Sequence, residues 1–346
     1  MNKRAFLLFC SLFILVVSAP AYAQNNFYKG KTITIIVGTK AGDAYDLYPR
    51  LMAEYLPKYI PGNPNVIIQN MPGAASIIAA NNVYNVAKPD GLTIGAIYPA
   101  LYFDQLSKKS EVRFDWSKFQ FIGSPIVSYH LLYMRSDTPY KSIDDIKKAS
   151  TPPKCGSNGT SSTGYWLPKL LDDVIGTKFD IVVGYQSGGD VDLAVERGEV
   201  QCRAFTITAW FAREPFISWR KNGFANVLFQ TGSKREPRLK DAPTIYELLD
   251  KYKATQTGRQ LTTIVLASGE FGRPLVFGPK VPTDRVKILR EAFDRIVKDP
   301  GYLADAEKRK LDIEPIDGPK LQKLAQDVIA SPPQVVEGMK KLMGSD

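Results

Sequence analysis

The chain has 346 residues but only one histidine and three cysteines, and after Val17 no apolar run approaches the roughly 20 residues a membrane span needs. Each shortage excludes a class of function. His130 sits alone in the strand-like run from Ile126 to Leu132, where a packing role suits it better than catalysis. The pattern Gly-x-Ser-x-Gly is absent, so a nucleophile elbow has no support, and no Gly-x-Gly-x-x-Gly opens a helix. Gly30-Lys31-Thr32 ends like a phosphate-binding loop, but Asn25 stands at the first glycine position and the motif precedes its strand. Too few histidines and cysteines remain for a tetrahedral metal site, and neither metal nor cofactor is expected. Lysines and arginines are scattered, with no basic stripe interleaved with aromatics, which argues against nucleic acid as a partner.

What is present begins with a leader. Lys3 and Arg4, the apolar stretch Ala5 to Val17 and the small-x-small site Ala21-Tyr22-Ala23 predict a signal peptide over residues 1–23, cleaved near Ala23. The mature chain is then expected to be exported. Removing Lys3 and Arg4 from the formal +10 leaves +8, a surface that suits an anionic ligand and simple solubility equally. Cys155 and Cys202 survive cleavage at the ends of two predicted strands, so they either pair or stay as two buried thiols.

The patterning alternates. Thr32 to Val37 is β-branched and nearly all apolar, as a strand covered on both faces should be. Leu47, Leu51, Tyr55 and Tyr59 then recur at helical spacing, and short strand, helix and strand patterns follow to Ile97. A second such unit starts at Ser142 with a capping-box-like Ser-x-x-Asp and runs to Phe205. Phe121 to Met134 and Asn226 to Gln230 read as strands crossing between the units. The last third shows a capping box at Thr244 and Glu247, a strand at Thr262 to Ala267, and amphipathic helices including Asp284 to Lys298. The order predicts an α/β fold of two domains, residues 24–124 with 230–346 and residues 125–229.

Two glycine- and serine-rich loops stand where strands hand over to helices. The first runs through Lys40, Ala41, Gly42, Asp43 and Tyr45 to Asp46; the second through Ser157, Asn158, Ser161, Ser162 and Thr163. Backbone N–H groups at a positive helix end suit a carboxylate. Open α/β sheets bind ligands at these strand ends. Ser76, Ser187 and Gly188 would add donors, and Tyr45 and Tyr98 would wall the cleft. Asp46 is expected to cap its own helix and hold the first loop.

These segments resemble the extracytoplasmic solute-binding proteins of tripartite tricarboxylate transporters, the Bug family. Ala41-Gly42-Asp43-Ala44-Tyr45-Asp46, with Arg50 beyond, stands where the family carries Pro-Gly-Gly-x-x-Asp. Asn70-Met71-Pro72-Gly73-Ala74-Ala75, Pro89-Asp90-Gly91, Gly156-Ser157-Asn158-Gly159 and Asp241-Ala242-Pro243-Thr244 are similar to further family segments and keep their order. The resemblance implies a type II periplasmic-binding-protein-like fold, each domain a mainly parallel sheet flanked by helices, with the ligand cleft between them. It implies no enzyme, but a monomeric receptor that closes on a small organic acid and delivers it to integral-membrane transporter subunits. A receptor presenting its ligand to a sensor kinase, or a secreted hydrolase, are the alternatives.

Overall fold

A computed structural model describes residues 27–39, 41–42, 44–157, 162–185 and 188–342. The expected signal peptide lies outside them. Among the described residues no helix is long and apolar enough to cross a membrane.

Eleven strands are described: β1 (Thr32–Val37), β2 (Asn65–Asn70), β3 (Thr93–Ala96), β4 (Gln120–Ser124), β5 (His130–Arg135), β6 (Lys154–Gly156), β7 (Asp180–Val182), β8 (Cys202–Thr206), β9 (Ala225–Gln230), β10 (Leu275–Phe277) and β11 (Ile316–Asp317). They form a six-stranded sheet, β11-β4-β10-β3-β1-β2, and a five-stranded sheet, β7-β6-β8-β5-β9. β1 pairs in parallel with β2 and β3, whereas β10 and β11 run antiparallel to their neighbours. In the smaller sheet β6 is parallel to β7 and β8, and β5 runs against β8 and β9. Each sheet is thus mainly unidirectional, the form expected of crossover-built α/β units.

Side-chain alternation in β1 serves two cores. Ile33, Ile35 and Val37 face one cluster with Leu51, Leu289 and Phe293, while Ile36 faces another with Val83, Trp116 and Phe121. That second cluster continues through Phe271 and Leu261 to Leu132, Leu170 and Cys202 of the smaller sheet's side, so the two halves share buried apolar contact.

The helix after β1, Ala44–Tyr59, buries Tyr48, Leu51, Met52 and Leu56 instead of the expected Leu47-Leu51-Tyr55-Tyr59 stripe. Leu47 is exposed, and the Tyr55 and Tyr59 hydroxyls donate to Asp305 and Asp299, keeping their polar tips at the core's rim. The expected strand Thr262 to Ala267 is a helix, Gln256–Phe271. Its run is buried on most sides, which removes the periodicity that separates a strand from a core helix. Thr255 caps it by accepting from the Gly258 N–H at 3.1 Å, and Thr262 returns its hydroxyl to the Gly258 carbonyl at 2.9 Å.

The chain passes between sheets at residues 125–129, inside the stretch Phe121 to Met134; β9 lies wholly in the smaller sheet and the return follows it. β6 and β8 are neighbours in register at Cys155 and Cys202, and these two residues form a disulfide.

Candidate functional site

A cavity of about 440 Å³ opens between the sheets. From the six-stranded side come Tyr45, in the first turn of the helix after β1, Ala75 beyond β2, and Tyr98 and Phe103 beyond β3. The five-stranded side adds His130 at the start of β5, Thr206 at the end of β8, and Thr163 and Trp166 in the first turn of the helix Thr163–Ile175. Ser128, on the crossing segment, and Ser268, Gly269 and Arg273, from the end of the helix Gln256–Phe271 onward, complete it.

The first loop is anchored from below. Asp46 is fully buried and accepts from the Gly42 N–H at 2.7 Å, Arg50 Nε at 2.5 Å and Asn70 Nδ2 at 2.8 Å. Burial pushes its carboxyl up, but these donors outweigh burial and hold it below the usual carboxylate range. Asn70 also donates to the Thr39 carbonyl at 2.9 Å, tying the end of β2 to the loop.

After β2 the backbone turns through Ala74, Ala75 and Ser76 with φ of 44, 48 and 76°. Three successive non-glycine residues in the left-handed region cost roughly 1–2 kcal/mol each, so the surroundings must impose this turn. Ser76 Oγ accepts from the Tyr98 N–H at 3.2 Å, and its N–H donates to the Gly73 carbonyl at 2.9 Å. Gly38 makes room: a Cβ there would lie 1.8 Å from Ser76 Oγ. The result presents Ala75 to the cavity and keeps Ser76 behind it.

Across the cavity, Ser157 donates its N–H to the Val182 carbonyl at 2.9 Å, and its hydroxyl lies 2.7 Å from that of Ser162. The Ser162 carbonyl accepts from the Tyr165 and Trp166 N–H groups at the helix start. The positive end of the helix, at Thr163, therefore borders the cavity.

Arg273 supplies the charge. Its guanidinium lies 3.7 Å from the centre of the Tyr45 ring, and its Nη1 donates to the Gly272 carbonyl at 3.1 Å and Ser128 Oγ at 3.4 Å. Nε is buried and no described residue accepts from it. Among the described residues no carboxylate lies within 4 Å of Arg273, whereas the other charged wall residues, Asp104 and Lys109, pair at 2.5 Å. His130 packs edge-on to Trp166 with ring centres 5.3 Å apart. Burial, with the Arg273 charge second, pushes its imidazole down to about 4, so it is neutral at pH 7.

Of the residues expected from sequence, the structure brings Tyr45, Tyr98 and Thr163 together on the cavity wall. Ser76, Ser157 and Ser162 support that wall from behind, and Ala41 and Gly42 are exposed in the first loop. Gly188 lines a separate cavity and its carbonyl accepts from Arg203 at 2.8 Å. Lys40, Asp43, Asn158, Ser161 and Ser187 lie outside the described residues. Sequence reasoning missed Arg273, Ser128, Phe103 and Ser268. The one available signal was the charge of Arg273 between Gly272 and Pro274, next to an apolar run.

The family model described as the tripartite tricarboxylate transporter family receptor matches residues 50–340. The UPF0065 protein in the gbd 5′ region of Cupriavidus necator is 25% identical over 307 residues, covering 87% of this chain and 84% of that one. Among solved structures, a TctC solute binding protein from Polaromonas, without ligand, superposes with a TM-score of 0.71 at 18% identity, covering 91% of this chain and 99% of that one. MatC from Rhodopseudomonas palustris, with bound malate, does so with a TM-score of 0.55 at 20% identity over 88% of this chain and 99% of that one.

Proposed function

The chain belongs to the tripartite tricarboxylate transporter receptor family, a family of periplasmic solute-binding proteins, and on that premise we propose that it captures a small organic carboxylate in the inter-sheet cavity and delivers it to membrane transporter subunits. The observation that carries the ligand class is Arg273. A guanidinium held on a tyrosine face, bordered by a helix N-terminus and lacking a carboxylate partner among the described residues, is built to receive an anion. The malate named with the Rhodopseudomonas structure belongs to the same class.

Capture works by closure. The two sheets approach by pivoting about residues 125–129 and the return after β9, and the expulsion of water strengthens every contact to the bound charge. One chain supplies both walls, so a monomer suffices. Export follows from the basic start, apolar stretch and small-x-small site of residues 1–23, and a disulfide between Cys155 and Cys202 suits an oxidising compartment.

A thermal-shift screen of organic acids tests the reading. A ligand at 100 times its Kd stabilises the folded state by about 2.7 kcal/mol. The expected result is a shift with one or more carboxylates and none with their neutral amides. Equal shifts with acid and amide, or none with any acid, would overturn it.

A further inference from the structure

The cavity's charge count and its ring content together narrow the ligand, an inference that rests on the carboxylate reading above. We propose that this site takes an aromatic monocarboxylate, with the carboxylate on Arg273 and the ring against Trp166, Tyr98 and Phe103.

The charge argument comes first. Asp104 and Lys109 neutralise each other, and His130 is uncharged, so Arg273 is the one uncompensated charge on the described wall. A single guanidinium matches a single carboxylate, and its planar fork binds one bidentately. Nε of the same guanidinium is buried and no described residue accepts from it, so the group's donors are not used up within the protein. A second carboxylate would meet hydroxyls and the mutually neutralised Asp104–Lys109 pair instead of a second uncompensated cation, and an unpaired charge moved out of water is costly.

The ring argument is independent of charge. Tyr45 and Tyr98 lie with ring centres 4.3 Å apart at 47°, and Trp166 stands edge-on to the His130 ring. With Phe103, these side chains put aromatic groups on both the six-stranded and five-stranded sides of the cavity. Aromatic groups on two sides of a cavity favour a ring through offset or edge-to-face contact, which a flexible aliphatic acid does not make. The volume of about 440 Å³ also lies in the range of sites that hold ring-bearing ligands.

Isothermal titration of the mature chain with benzoate, 4-hydroxybenzoate, cinnamate, cyclohexanecarboxylate, adipate, malate and benzamide tests the assignment. At least one of the three aromatic acids is expected to bind tenfold or more tighter than adipate, malate and cyclohexanecarboxylate, with benzamide the weakest. Phe103→Leu, at a half-buried position, and Trp166→Leu should each erase most of that preference, bringing the ratio of aromatic-acid to adipate affinity close to one. If adipate or malate binds as tightly as the best aromatic acid, the ring assignment is overturned and the carboxylate reading stands. If benzamide matches benzoate, Arg273 is not the anchor and the assignment falls. If no acid of either class binds, the carboxylate reading itself fails.

Discussion

The Arg273 guanidinium lies 3.7 Å from the centre of the Tyr45 ring, so a residue just beyond the helix Gln256–Phe271 is stacked on the first turn of the helix after β1. The Tyr45 face fixes the plane of the fork, and Ser128 Oγ on the crossing segment accepts from one of its nitrogens. The cation of the cavity is thus held jointly by the helix after β1 and the segment that crosses between the sheets.

Replacing that cation should remove binding and spare the fold. Arg273→Met is expected to weaken the carboxylate ligand by roughly 10- to 100-fold, the range of one charge-assisted hydrogen-bonded contact. Arg273→Lys should restore only part of it, since an ammonium neither stacks as well nor binds bidentately. Titration of both variants checks this, and equal affinity in all three proteins would dismiss Arg273 as the anchor.

Gly272 has φ of +59°, and a Cβ there would lie 1.7 Å from the Ile126 carbonyl oxygen on the crossing segment. Gly272→Ala should therefore destabilise the protein by about 2–4 kcal/mol, combining backbone strain and a forced backbone shift. Urea unfolding measures it; an unchanged midpoint would show that the two segments separate without cost.

The disulfide between Cys155 and Cys202 spans a sequence separation of 47 residues. Closing a loop of that length in the unfolded chain is worth about 2–4 kcal/mol. The Cys155→Ser, Cys202→Ser double variant should unfold at correspondingly lower urea, and reductant should lower the wild-type midpoint but not the variant's.

His130 gives a pH dependence of defined sign. Its folded value, about 4, lies below the ordinary 6.5, so the unfolded chain binds the proton first. Stability from this residue is unaffected above pH 6.5 and falls as pH drops from 6.5 towards 4, by at most about 3 kcal/mol. Asp172, pushed up to about 6 mainly by burial, acts in the opposite direction over part of the same range. The measurement is therefore a difference: wild type should lose more stability than His130→Gln between pH 7 and pH 5. Equal losses would place the imidazole in contact with water.

Local rules were readable where the physics is local. The capping box of Thr244 and Glu247 forms as spaced, with Glu247 accepting from the Thr244 N–H at 2.7 Å. Ser142 likewise accepts from the Asp145 N–H. β1 announced its burial through an apolar run, and the carboxylate of Asp46 meets the loop four residues before it. Thr262 to Ala267 was misread because a segment buried on most sides has lost the polar face that reveals its period.

The sequence by itself determined the alternation of strands and helices, the positions of caps and turns, and hence the two α/β units with loops at their strand ends. These depend on residues within a few positions of one another. Only the tertiary structure decided which loop residues face the cavity: it turned Ser76 and Ser157 inward as supports, exposed Ala75 through a left-handed turn, and brought Arg273 onto Tyr45. Those outcomes depend on the packing of two sheets and the helix Gln256–Phe271, contacts between distant parts of the chain that leave no periodic or local mark in the order of residues.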